Sequence, residues 1–147
     1  MGGLSRIGKP IRPLRPMRFL LDTNAWIHWF HRPHEMSATV LQLLNAQQTV
    51  ALSPMSILEV AQKHHKGKLE LPRPLDIWVR ESMPEDRIKL LLLTAEIALA
   101  SYAWPDDFHG HPADRIIAAT ARLHRLTLVT SDDILLQRSD LKTLSTR

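Results

Sequence analysis

Short apolar runs alternate with helical segments along this chain, and this alternation limits the folds open to it. Apolar runs of strand length occupy residues 18–21, 49–52, 88–93 and 126–130. Segments whose apolar residues recur at helical spacing lie between them. Strands and helices in alternation are typical of a mainly parallel sheet with helices on both faces. We therefore predict a doubly wound α/β domain of three layers.

The helix starts carry capping residues that help to place the elements. Thr23 or Asn24 can cap a helix over 25–31, and Thr94 can cap one over 95–104. Ser53 followed by proline is a favourable start for a helix that we expect to end near Gly67.

The positive charge of the chain is concentrated at its N-terminus. The 147 residues carry 19 basic and 15 acidic side chains, a net charge of +4. Residues 1–18 hold five of the basic side chains and no acidic one, so the rest of the chain has a net charge of −1. Prolines at every third position of 10–16 disfavour a helix. We expect residues 1–16 to be a disordered, basic, proline-rich extension, with Met17 as an alternative start, and residues 17–147 to form the domain.

Composition excludes several classes of protein. The chain has no cysteine, so disulfides, zinc–thiolate sites and cysteine nucleophiles are ruled out. The longest apolar run, 90–100, is interrupted by Glu96 and falls short of the ~18 residues of a membrane span. We expect a cytoplasmic protein.

Carboxylates occupy the positions where a parallel sheet binds its ligands. Asp22 and Asp132 directly follow two predicted strands, and ligands of such sheets bind beyond the carboxyl ends of the strands. Asp114 has apolar residues three, four and seven positions further on, which puts it on the buried side of its helix. A cap or turn is the alternative for Asp22 and Asp132. For Glu59, periodicity favours a surface pair with Lys63.

Carboxylates that converge repel one another unless a cation compensates them. Oxygen ligands without cysteine favour Mg²⁺ or Mn²⁺, which bind phosphate oxygens and activate water. That chemistry is phosphodiester hydrolysis.

Four segments in order then resemble the motifs of PIN-domain nucleases, and among these the VapC-like toxins of bacterial toxin–antitoxin pairs. They are Arg18–Ile27 around Asp22, Ser56–Ala61 around Glu59, Pro112–Ala121 around Asp114 and Leu128–Asp132. The order and spacing extend from about residue 17 to the end of the chain.

The resemblance implies a metal-dependent endoribonuclease in which Asp22, Glu59, Asp114 and Asp132 hold Mg²⁺ or Mn²⁺. Attack by a metal-activated water would leave a 5′-phosphate and a 3′-hydroxyl. The resemblance further implies supporting roles for Asn24 and Thr130, a homodimer, and a cognate antitoxin. Phosphate contacts are expected from Arg115, Lys63 and Lys68.

Two features leave alternatives open. Many relatives carry an acid where this chain has His111, so His111 could serve as a ligand or proton donor, or His109 and His111 could form a plain polar loop. Trp26, Trp29 and Phe30 share one helix face, which favours packing or dimerisation over stacking on RNA bases.

Other functions compatible with the pattern are a DNA nuclease, a PIN nuclease of RNA processing, a receiver domain, and a PIN fold that only binds. The receiver needs a lysine after a late strand, which is not evident. All four acidic positions are filled, which argues against a fold that only binds.

Overall fold

A computed structural model describes residues 16–105, 108 and 110–147. The predicted extension 1–16 falls outside this range except for Pro16, so the prediction of disorder is not addressed. The strands are β1 (Phe19–Leu21), β2 (Val50–Leu52), β3 (Ile88–Leu90), β4 (Thr127–Thr130) and β5 (Thr143–Ser145). The helices are α1 (Thr23–His31), α2 (Ala38–Asn45), α3 (Pro54–His65), α4 (Leu75–Glu81), α5 (Ala95–Ala100), α6 (Pro112–Leu123) and α7 (Asp133–Leu136), with a 3₁₀ turn at Pro33–Glu35.

The five strands form one parallel sheet in the order β3-β2-β1-β4-β5. Strand β1 lies in the centre, with Leu20 opposite Ala51 of β2 and Leu128 of β4. The prediction of a doubly wound, mainly parallel α/β domain is confirmed.

Alternate residues of the central strands feed two separate hydrophobic cores. Phe19 and Leu21 point to the core beneath α1–α4, whereas Leu20 points to the core beneath α5–α7. All three side chains are buried, as expected for a strand covered on both faces. These two cores make the three layers and fix β1, and hence the residue that follows it, in the middle of the domain.

The capping predictions are partly right. Ser53 and Thr94 cap α3 and α5, and Gly67 follows α3 in the left-handed conformation with φ of 69°. The cap of α1 is Asp22, one residue before the predicted Thr23 or Asn24, because its carboxylate accepts the Ala25 N–H. Helix α5 ends at Ala100, four residues earlier than predicted.

The aromatic residues of α1 divide between core and surface. Trp26 is fully buried, packs 5.0 Å from Trp78 between ring centroids, and donates its indole N–H to the Ser82 carbonyl. Trp29 and Phe30 are half-buried beside the same core. For Trp26 the structure therefore agrees with the predicted packing role of this helix face.

None of the helices in the described part of the chain is long and apolar enough to cross a membrane.

Candidate active site

The order of the strands reverses between β1 and β4, and this point defines a crevice at the carboxyl ends of both strands. The chain continues from β1 outward to β2 and β3, then returns to the other side of β1 as β4. The Asp22 N–H donates to the Val129 carbonyl of β4 at 3.0 Å, which holds the two strand ends together. Asp22 and Asp132 both follow strands at this crevice, where parallel α/β sheets bind ligands.

Asp22 is half-buried at the start of α1. Its Oδ1 accepts the Ala25 N–H at 2.7 Å. Burial raises the pKa of the Asp22 carboxyl to about 6; the charges of Asp114 and Glu59 add to this, and hydrogen bonds from Thr130 and Ala25 oppose it. Asp22 therefore caps α1, the alternative role predicted for it, and it also carries a carboxylate whose charge is disfavoured by burial.

Thr130 connects the two acidic residues that follow β1 and β4. Its side chain is fully buried and forms a hydrogen bond with Asp22. Its hydroxyl oxygen accepts the Asp132 N–H at 3.1 Å. Asp132 is itself exposed and caps α7, since its Oδ1 accepts the Ile134 and Leu135 N–H groups at 2.8 and 3.3 Å.

Asp114 lies in the first turn of α6, as its helical spacing predicted. Ile117, Ala118 and Ala121 on the same side of the helix are buried, and Asp114 is half-buried. Its Oδ2 accepts the His111 N–H at 3.2 Å. Burial raises the pKa of Asp114, and the charge of Asp132 raises it further. The hydrogen bond and charge of His111 and the charge of Lys63 lower the pKa of Asp114.

Glu59 reaches the site from the middle of α3 through contacts that the sequence did not reveal. Its carboxylate accepts the hydroxyl of Thr23, which is also hydrogen-bonded to the Ser56 hydroxyl at 3.0 Å between oxygens. Thr23 and Ser56 are both buried. Thr23 directly follows Asp22 in the sequence. This adjacency is the one sequence feature that could have suggested a hydrogen bond between the Thr23 hydroxyl and another site carboxylate, here that of Glu59.

These groups line a cavity of about 170 Å³, and the basic side chain of Lys63 lines it with them. The Lys63 ammonium lies 3.5 Å from the Asn24 Oδ1, and its charge lowers the pKa of Asp114. The residues lining the cavity are Asp22, Thr23, Asn24, Glu59, Lys63, Asp114, Ser131, Asp132 and Leu135. The four predicted carboxylates and Asn24 are therefore brought to one cavity, with Thr130 buried behind it.

The cavity presents carboxylate oxygens, the type of donor that Mg²⁺ and Mn²⁺ prefer. Among the described residues, no three acidic or histidine side chains stand close enough to form a complete cage around one ion. Three of the carboxylates each accept an N–H group at or near a helix start. Mg²⁺ usually binds through one or two carboxylates and keeps water elsewhere, and this mode fits a cavity lined by carboxylate oxygens. Direct contact of all four carboxylates with one ion does not follow from these positions.

Two predicted substrate contacts lie outside the acidic cavity. Lys68 lines a neighbouring cleft together with Lys63 and Glu59. Arg115 donates to the carbonyls of Phe108 and Ser101 and lies over the rings of Phe108 and Tyr102. Its guanidinium is thus engaged in holding the loop before α6, and we expect it to position this loop rather than to bind substrate.

Of the predicted loop histidines, His111 is the residue before α6 and lines the same neighbouring cleft as Lys68. His109 lies outside the described residues.

The fold and site define a class: a parallel α/β domain with an acidic cavity at the point where the strand order reverses. A model of the PIN domain family matches residues 19–141. The chain belongs to the PIN domain family, and the predicted fold is confirmed.

One protein sequence and two solved structures illustrate what this chain is similar to. Ribonuclease VapC22 of Mycobacterium tuberculosis is 29% identical over 113 residues, which cover 77% of this chain and 85% of that protein. The crystal structure of VapBC2 from Rickettsia felis bound to a promoter DNA fragment aligns with a TM-score of 0.67 and 17% identity, covering 89% of this chain and 100% of that one. DNA-bound VapBC from Salmonella typhimurium aligns with a TM-score of 0.65 and 16% identity, covering 90% and 100%.

Proposed function

We propose that this chain is an endoribonuclease that hydrolyses RNA phosphodiester bonds with Mg²⁺ or Mn²⁺ and acts as the toxin of a toxin–antitoxin pair. The observation that carries the proposal is the cavity at the carboxyl ends of β1 and β4, lined by Asp22, Glu59, Asp114 and Asp132. The raised pKa values of Asp22 and Asp114 support a cation there: burial, with a smaller contribution from neighbouring carboxylates, disfavours their charges, and a bound cation would offset that cost. Similarity to a ribonuclease of the VapC group supports RNA as the substrate.

The residues divide the work between binding and support. A bound Mg²⁺ or Mn²⁺ supplies polarisation of the phosphate and activation of water. Asp22, Glu59, Asp114 and Asp132 provide oxygen ligands, directly or through water. Thr130 and Thr23 fix the orientation of Asp22 and Glu59, as hydrogen-bonded neighbours of metal ligands generally do.

Besides lowering the pKa of Asp114, Lys63 is placed to contact the substrate. Lys63 lines both the acidic cavity and the neighbouring cleft. From there it can contact a phosphate of the bound RNA, with Lys68 further along the same cleft. Asn24 holds the Lys63 ammonium in this place.

An antitoxin partner is part of the proposal, as is a homodimer. The similar structures include DNA-bound VapBC from Rickettsia felis and Salmonella typhimurium and a toxin–antitoxin complex from Klebsiella pneumoniae. Growth arrest on expression of this chain, relieved by the product of a small neighbouring reading frame, would support the toxin role. Light scattering of the purified chain tests the homodimer, and a monomer mass at all concentrations would contradict it.

The enzymatic part is tested by incubating structured RNAs with the wild type, Asp22→Asn and Asp114→Asn, in Mn²⁺, in Mg²⁺ and in chelator. We expect cleavage by the wild type in metal alone, and loss of about a hundredfold or more in both variants. Equal activity in the variants, or activity in chelator, would overturn the site assignment. Preferential cleavage of DNA in a competition assay would favour the DNA nuclease instead.

A further inference from the structure

A second cleft, larger than the acidic cavity, adjoins it, and apart from the phosphate contacts proposed for Lys63 and Lys68 its lining has no assigned role. Its volume is about 480 Å³, within the ~300–1,000 Å³ typical of small-molecule sites. Glu59 and Lys63 line both spaces, so the cleft continues directly from the place where the reacting phosphate would lie. Its two walls are one face of α3 and the start of α6, helices that pack against each other.

The α3 wall changes from apolar to cationic along its length. Met55, Leu58, Gln62 and Lys66 follow one another at intervals of three or four residues, so they share one face of the helix. Leu58 is 47% exposed although it is a large apolar side chain within a cleft. Lys68, just beyond α3, extends the cationic end.

These groups match the parts of a nucleotide. An anionic phosphate suits the end that carries Lys66 and Lys68. The face of a base suits the apolar part formed by Met55, Leu58 and Pro112. The side-chain amide of Gln62 can both donate and accept hydrogen bonds, as contact with the edge of a base requires. Bases in a duplex are stacked and their faces covered, so only an unpaired base can use such a surface.

We propose that this cleft is a subsite for one unpaired nucleotide of the RNA, next to the phosphate that is cleaved. The base rests on Met55, Leu58 and Pro112, and its flanking phosphate faces Lys66 and Lys68. The inference depends on the proposed ribonuclease function and adds to it the residues that contact the base beside the cleaved phosphate.

The test couples a change in the protein to a change in the RNA. Single abasic nucleotides are placed in turn on both sides of the cleavage site of an RNA that the wild type cleaves. Cleavage by the wild type, Leu58→Asn and Leu99→Asn is then compared in Mn²⁺. Leu99 is the matched control, because it is 77% exposed on α5 and lines neither the cleft nor the cavity. Thermal melts verify that both variants fold.

We expect an abasic nucleotide at one flanking position to slow the wild type by about fivefold to thirtyfold, as loss of burial of one base face implies. Leu58→Asn should lose a similar factor on intact RNA and then be indifferent to the abasic substitution. Leu99→Asn should behave as the wild type. Full activity of Leu58→Asn, or an undiminished abasic effect in it, would overturn the subsite while leaving the ribonuclease function standing. A wild type that cleaves no RNA would overturn both.

The cationic end has its own readout. Binding of a short fluorescein-labelled single-stranded RNA is measured against salt concentration in an Asp114→Asn background, which prevents cleavage. Lys66→Gln and Lys68→Gln should each reduce the slope of log affinity against log salt by about 0.7. Lys89→Gln, exposed on β3 and absent from both linings, should leave the slope unchanged. A slope that does not change for Lys66 or Lys68 would contradict their phosphate contacts.

Discussion

Asparagine in place of Asp22 is expected to stabilise the metal-free protein at neutral pH while abolishing its activity. Burial and neighbouring carboxylates raise the pKa of Asp22 from 3.8 to about 6, so its charge is less favourable in the folded state than in the unfolded state. The resulting penalty is absent below the unfolded pKa of 3.8 and complete above about 6. Asparagine removes the charge and keeps the helix cap, because it accepts the Ala25 N–H equally well.

The size of the effect follows from the shift. One pKa unit corresponds to about 1.4 kcal/mol, so the full shift sets an upper limit of about 3 kcal/mol. Asp22 is half-buried and water screens part of its charge, so the expected gain lies between about 1 kcal/mol and this limit.

Urea denaturation in chelator measures this gain. At about pH 7.5 we expect Asp22→Asn to exceed the wild type by about 1–3 kcal/mol, and at about pH 4 the two should nearly coincide. The control Asp76→Asn removes an exposed charge from the first turn of α4 and should cost a few tenths of a kcal/mol or less. Saturating Mn²⁺ should stabilise the wild type more than Asp22→Asn. A variant less stable than the wild type at neutral pH, or a gain equal at both pH values, would refute the reasoning.

Three further expectations concern the support of the site. Thr130→Val, which loses the hydrogen bonds to Asp22 and Asp132, should lower kcat/KM about tenfold to a hundredfold; Thr127→Val on the same strand is the control, and equal losses in both would contradict a specific role. The affinity for Mn²⁺ in calorimetry should fall as pH drops below about 6, since a protonated Asp22 is a poor ligand, and a flat profile would speak against Asp22 as a ligand. Arg115→Ala should destabilise the protein by about 1–3 kcal/mol and accelerate hydrogen exchange in the loop before α6, because it loses two carbonyl partners and two aromatic contacts. Unchanged exchange there would exclude a positioning role.

Strand ends and helical spacing alone pointed to three of the four acids that line the cavity. Asp22 and Asp132 follow apolar runs whose lengths identify them as strands, and parallel strands bring their carboxyl ends to one edge. Asp114 was marked by a buried helix face that the structure confirms. These signals are local and depend only on the neighbours of each residue in the chain.

Glu59 required a signal that periodicity does not contain. Periodicity reports the face of a helix, whereas the position of Glu59 is set by Thr23, which lies 36 residues earlier in the chain. Resemblance to a family supplied Glu59, but neither it nor the pattern indicated the buried Thr23 and Ser56 behind it. The shift of the α1 cap to Asp22 has a similar origin, since any of three consecutive polar residues could have capped the helix.

Arg115 was predicted to contact phosphate as one of the basic side chains of the domain. It follows Asp114 directly, and consecutive helical residues point about 100° apart. The structure turns its guanidinium towards Phe108 and Ser101. These contacts are the reason to expect Arg115 to position the loop before α6, and its phosphate contact stays a prediction.

The central claim, that the carboxylates of the acidic cavity hold a divalent ion, is tested most directly by titrating Mn²⁺ into the full chain and observing free ion by electron paramagnetic resonance. We predict binding by the wild type at about pH 7.5, and affinity at least tenfold weaker in Asp114→Asn and Glu59→Gln. The exposed Glu85→Gln should bind as the wild type does. Equal affinity in all four proteins, or no binding by the wild type, would contradict the account.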